Sequence, residues 1–175
     1  NRNKQVRIES GGGYAVFDNE KKIIIESTIK TASSGWKPMH FCKTDLECPF
    51  VIRHPEDWQY EQGQDLKIKA KNSTSLFYND QKDNPLLTVS EIKSTDFEKI
   101  INDVLNQQSY KTAIIQDTNI GNFWGRLINL DNGTTLAFVL LKEEIVLMST
   151  SNLEWEKFDR ILNETFFSTD GIPML

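Results

Sequence analysis

Two cysteines and two histidines are the side chains of this 175-residue chain best suited to metal or nucleophilic chemistry, and they lie together in His40-Phe-Cys42-x5-Cys48-x5-His54. Three readings of this cluster are open. Five residues between Cys42 and Cys48 leave room for the loop to curl until the Cα atoms are about 5.5–6 Å apart, as a disulfide requires. That pairing suits an exported protein, whereas in a reducing compartment both would stay thiols. The third reading is a metal site or small enzyme using His40, Cys42, Cys48 and His54, since two thiolates and two imidazoles make a zinc ligand set. Its spacing is unusual, because structural zinc sites place two to four residues between cysteines, and Pro55 holds His54 extended.

Other chemistries find less support. A serine hydrolase would show a Gly-x-Ser-x-Gly elbow, and the chain has none. Gly11-Gly12-Gly13 precedes a β pattern rather than the helix that a phosphate loop opens. Glu143 and Glu144 fall in a tight turn, where solvation is expected. Asp80 and Asp83 share a polar loop without the spaced oxygen ligands that calcium takes. No catalytic residue, cofactor or resident metal is therefore expected. Aromatic residues give the best indication of a partner. Trp58 and Trp155 are expected to pack in or cap the core. Trp36, Phe123 and Trp124 are the candidate binding residues, with Gly121 and Gly125 letting a partner's backbone approach.

The elements that must position these residues follow from hydrophobic period. Val6 and Ile8 alternate with polar neighbours. Residues 14–17 and 22–29 form a hairpin turning at Asp18-Asn19-Glu20. Residues 31–38 read as loop. Strands are expected at 49–54, at 65–71 (Leu66, Ile68 and Ala70 alternating with lysines), at 75–78 and at 85–92. The period then changes. Thr95-x-x-Glu98 is a capping box, and Phe97, Ile100, Ile101, Val104 and Leu105 make an apolar stripe for a helix over 95–108. Strands are expected at 110–118, 123–130, 134–141 and 145–149. A second capping box, Ser151-x-x-Glu154, opens a helix reaching about Phe167, and 168–175 form a surface tail. Strands joined by tight turns, with two one-sided helices, predict an α+β fold: a mainly antiparallel sheet sandwiched by helices, the body at 41–175 and a β-rich arm at 1–40.

That order of elements resembles the PsbP-like family, named for an extrinsic lumenal protein of photosystem II. Phe50-Val-Ile-Arg-His-Pro-Glu-Asp-Trp58 is similar to the family's opening strand ending in Tyr-Pro-x-x-Trp. Phe158-Asp-Arg-Ile-Leu-Asn-Glu-Thr-Phe166 resembles its closing helix. The likeness covers about residues 48–168 and implies a PsbP-like α/β/α sandwich. His54 stands where the family commonly has Tyr, and the first forty residues have no counterpart. Bacterial chains of this kind are typically exported and often lipid-anchored. The resemblance thus implies a non-catalytic cell-envelope protein that binds or scaffolds another protein, with a membrane tether outside this chain. The start at Asn1 fits removal of a signal peptide or anchor, and Arg2, Lys4 and Arg7 read as a solvated tail. A net charge of −5 argues against a nucleic-acid partner. The longest unbroken apolar run, 136–141, is far below the ~20 residues of a membrane span.

Overall fold

The structure, a computed structural model, describes residues 6–10, 13–17, 23–28, 35–44 and 48–172. Three strands open it, β1 (Val6–Ser10), β2 (Gly13–Phe17) and β3 (Ile23–Thr28), paired as an antiparallel meander. The expected turn at 18–20, residues 31–34, Arg2, Lys4 and the last three residues of the tail lie outside the described residues. The chain continues through β4 (Trp36–Phe41), β5 (Cys48–Pro55), β6 (Gln59–Gly63), β7 (Asn72–Tyr78) and β8 (Leu87–Ile92) to helix α1 (Phe97–Leu105). Then come β9 (Ala113–Ile120), β10 (Phe123–Leu130), β11 (Thr135–Leu140), β12 (Ile145–Thr150), helix α2 (Trp155–Glu164) and β13 (Phe166–Ile172). A seven-stranded antiparallel sheet has the order β6-β7-β8-β12-β11-β10-β9, and a three-stranded one the order β13-β5-β4.

Side-chain alternation builds the layers. In β11, Leu136 and Phe138 join one core with α1, while Ala137 and Val139 join a second core with β4, β5, α2 and Phe167. Successive strand residues face opposite ways, so a strand apolar at every position needs cover on both sides. Helix α1 supplies one cover through Phe97, Ile100, Ile101, Val104 and Leu105, all buried as their spacing predicts. Each contributes up to about 1.5–3 kcal/mol relative to an exposed position. The three-stranded sheet and α2 supply the other. The expected α+β class, with helices on both sides of a mainly antiparallel sheet, is the architecture found.

Several local expectations are corrected. Trp36–Pro38 belong to β4 rather than to a loop; Pro38 is tolerated because β4 is an edge strand, where its missing N–H breaks no ladder bond. Residues 65–71 form turns, not a strand, and Leu66 is 92% exposed. The cause is Asn72. Its buried amide donates to the carbonyls of Asp65, Ile68 and Ala70 and accepts from the Asp65 N–H at 2.8 Å, winding the segment around one side chain. The polar strand β6 was not anticipated, because none of its residues is buried to give a period. At α1 the cap is Asp96, whose carboxylate accepts from the Lys99 N–H at 3.2 Å, rather than Thr95. Ser151 does not cap α2; Thr150 instead takes the N–H groups of Asn152 and Leu153. Helix α2 ends at Glu164, because Thr165 is extended, so Phe166 and Phe167 enter a strand and 168–172 continue it beside β5 instead of forming a tail.

Replacing Ile101 by Asp places an unpaired carboxylate between α1 and the sheet. A cost above about 3 kcal/mol is expected, or a fall of roughly 6–12 °C in Tm. A melting curve within two degrees or so of the parent would show that this face is not sealed.

Candidate functional site

Cys42 and Cys48 are joined in a disulfide that closes the connection between β4 and β5. The two histidines do not meet it as ligands. His40 pairs with Val51 and His54 with Lys37, three rungs apart and about 10 Å along the strand. His40 is exposed, while the alternate positions Met39 and Phe41 face the core. His54 is buried between Trp58 and Phe77, and its Nδ1–H donates to the Pro55 carbonyl at 2.8 Å. Burial holds its pKa below the ordinary histidine value, against the raising effect of that hydrogen bond. Among the described residues no group of three or more His, Cys, Asp or Glu side chains is placed to hold a metal ion.

The three candidate aromatics are divided between two layers. Phe123 and Trp124 are consecutive in β10 and so face opposite ways. Phe123 packs on Phe167, ring centroids 5.7 Å apart, within the core that holds α2. Trp36 packs against that same core. The Arg160 guanidinium lies 4.2 Å over its ring, and Arg53 donates to its carbonyl. Trp124 lies on the other face, 5.8 Å from Phe97 at the start of α1, and is 50% exposed. Beside it Arg126 bonds both Asp117 and Glu98 at 2.7 Å, tying the first turn of α1 to β9 and β10. Trp58 is buried in the core, and Trp155, 48% exposed, lies over the buried Phe158.

The glycines beside Trp124 serve the chain's own packing. Gly121 has φ +59°, and a Cβ there would lie 1.8 Å from the Thr165 carbonyl oxygen. A Cβ on Gly125 would meet the Phe138 carbonyl at 2.5 Å. Next to Gly121, Asn122 clamps the backbone of Phe167, donating to its carbonyl at 2.8 Å and accepting its N–H at 2.7 Å. The β9–β10 turn is thus a latch on the start of β13. Gly121→Ala combines a left-handed backbone with a collision against main chain, and a loss of more than about 2 kcal/mol is expected. An unchanged urea midpoint would refute the latch.

Sequence reasoning missed a charged cluster at the β11–β12 turn. Glu144, expected to be solvated in its turn, is only 4% exposed. Its Oε2 lies 3.5 Å from Lys43 Nζ, next to the disulfide, and its Oε1 is buried without a hydrogen-bond partner. These two residues line a pocket of about 100 Å³ with Pro49, Leu141 and Ser168. Glu91, on β8 across from Val146, has its pKa pushed up to about 7, first by burial and then by the negative charge of Glu144, with Lys43 opposing. Two carboxylates share one lysine here, and a proton on Glu91 relieves the excess negative charge. A Glu-Glu turn gives no sign of this in sequence, because Lys43, Pro49 and Ser168 around it come from remote segments.

No family model and no curated protein matches the chain. Among solved structures it is similar to the solution structure of cyanobacterial PsbP (CyanoP) from Synechocystis sp. PCC 6803, with a TM-score of 0.47 and 11% identity, covering 76% of this chain and 92% of that one. That protein carries the name of the family whose pattern the sequence resembles. A likeness of this size concerns architecture alone, and activity, ligand and partner are left to the side chains.

Because the folded state raises the Glu91 pKa above its ordinary 4.5, the stabilising proton is held fully below pH 4.5 and is lost as pH climbs towards 7. Glu91→Gln should therefore flatten the decline in Tm across that window and melt above the parent at pH 8. Parallel Tm–pH curves for the two proteins would contradict the strained carboxylate pair.

Proposed function

We propose that the protein is a non-catalytic, extracytoplasmic protein of the cell envelope that binds another protein. The observation that carries this reading is the outer edge of the seven-stranded sheet. Strand β9 runs for eight residues and, among the described residues, hydrogen-bonds to β10 alone. Ile114 and Ile115 are both exposed on it, and half-exposed Trp124 stands on the neighbouring strand opposite Asn119. A free strand edge offers unpaired N–H and C=O groups, and an adjacent indole offers an anchor of low conformational entropy. In this reading Trp124 is the binding residue, while Trp36 and Phe123 support the layer behind it.

The alternative, a small enzyme or metal protein using His40, Cys42, Cys48 and His54, loses support because the sulfurs are bonded to each other and His54 faces the core. The disulfide supports an exported protein, since such bonds persist in oxidising compartments. Among the described residues no helix is long and apolar enough to cross a membrane. The division into an arm at 1–40 and a body at 41–175 belongs to the same proposal. The separate β1–β3 sheet supports it, and β4 straddles the boundary.

Trp124→Ala and Ile115→Lys test the surface together. Half of the Trp124 side chain is already in water, so its truncation should cost only about 1–2 kcal/mol of stability. Immobilised parent protein should retain a specific envelope protein that both variants release. Equal retention by parent and variants would remove this edge as the binding surface, and a fall in Tm above about 10 °C for Trp124→Ala would place that residue in the core.

A further inference from the structure

We propose that the pocket between the β10–β11 turn and the start of α2 binds a neutral saccharide. The cavity measures about 390 Å³, within the range of small-molecule sites. Asn129, Thr135, Thr150, Leu153, Trp155 and Phe158 line it together with Gly133 of the turn, and no charged side chain is among them. A ligand held there gains nothing from a formal charge.

Two features choose among uncharged ligands. The first is Trp155. It is the opening residue of α2, and its ring meets Phe158 edge-on at 6.4 Å. Phe158, Ile161 and Leu162 of the same helix are buried, yet the Trp155 indole is left half in water at the pocket. An indole exposed to this extent offers a platform for a flat apolar surface. The second is the polar floor. Asn129 and Thr135 face each other across β10 and β11, with the Thr135 hydroxyl 2.9 Å from Asn129 Oδ1. The Thr135 hydroxyl donates to that oxygen, which leaves the carboxamide N–H donors and the hydroxyl's own acceptor lone pairs unused. Thr150, the next residue on that rung, is already engaged, donating to the Leu86 carbonyl and accepting from two backbone N–H groups, so it is wall rather than recognition group.

An aromatic face beside a paired donor and acceptor, with no charge, matches a pyranose ring. One face of the ring presents C–H groups to the indole, and adjacent hydroxyls both donate and accept. A proline-rich peptide could also lie on an indole, but its backbone has no N–H to offer the acceptor of the pair. This pocket lies on the α2 side of the sheet and Trp124 on the α1 side, so the site is separate from the edge proposed for a protein partner.

The test is titration of the ¹⁵N-labelled full chain, following the Trp155 indole and Asn129 carboxamide signals, each assigned by substitution. The probes are maltotriose, cellotriose and triacetylchitotriose, all neutral, with a polyproline decapeptide as the contrasting arm. At least one saccharide should shift both signals saturably, with a dissociation constant on the order of 1 mM. Trp155→Ala should weaken it at least about tenfold, and Trp155→Phe by less, since a smaller ring still stacks. Thr135→Val, which removes the hydroxyl and keeps the shape, should weaken it without changing Tm by more than a few degrees. Absence of any shift at about 20 mM of each saccharide, an undiminished shift in Trp155→Ala, or a response to the peptide alone would each overturn the proposal.

Discussion

Residues 136–139 of β11 and 145–148 of β12 bury side chains on both faces of the seven-stranded sheet, and the rest of the body is arranged to meet that demand. An antiparallel sheet with one wet face needs a single covering layer. These two central strands have no wet face, so two layers are required. Helix α1 is placed in the chain between β8 and β9 and closes one side with five apolar residues. The other side is wider, and α2 is joined there by the three-stranded sheet, with Phe50, Ile52 and Phe167 filling the space.

Closing that second layer draws together segments remote in sequence, and polar groups do the joining. Asn122 grips Phe167 across 45 residues, a contact that needs the bare backbone of Gly121 against Thr165. Arg53 of β5 reaches Glu164 at the end of α2. At the start of β12, Lys43 comes down beside the disulfide onto Glu144, near which Glu91 retains a high proton affinity. Such groups contribute little when exposed, but here each is at least partly desolvated, where an unmade bond costs more than a made one contributes.

The four tryptophans sort by what this layering requires. Trp58 is sealed against His54 and Phe77, and Trp36 is held under Arg160. Trp124 and Trp155 remain half in water on opposite sides of the sheet, each touching a phenylalanine on a helix's first turn. Large aromatic surface left exposed beside free hydrogen-bonding groups is the usual composition of a recognition surface. The two positions are therefore the ones on which the proposals rest, while the disulfide and buried His54 belong to the framework.

Periodicity along the chain determined the α+β class, the α1 stripe, the hairpins around β10 to β12 and the proximity of Cys42 to Cys48, because each depends on neighbours within a few residues or on a repeat of 2 or 3.6. It misled where a side-chain hydrogen bond or a strand pairing overrode the local pattern. The lysine-alternating stretch at 65–71 has a strand's period, yet Asn72 winds it into turns. Phe166 and Phe167 continue the helical stripe of α2, yet pairing with Val51 and Phe50 draws them into β13. Glu144 has the composition of a solvated turn, but it is buried and meets Lys43 from a remote segment. Phe123 and Trp124 are adjacent in sequence and separated by the sheet itself. Except at Asn72, whose partners are near in sequence, the deciding contact joins remote segments, and its energy exists only once both layers are in place.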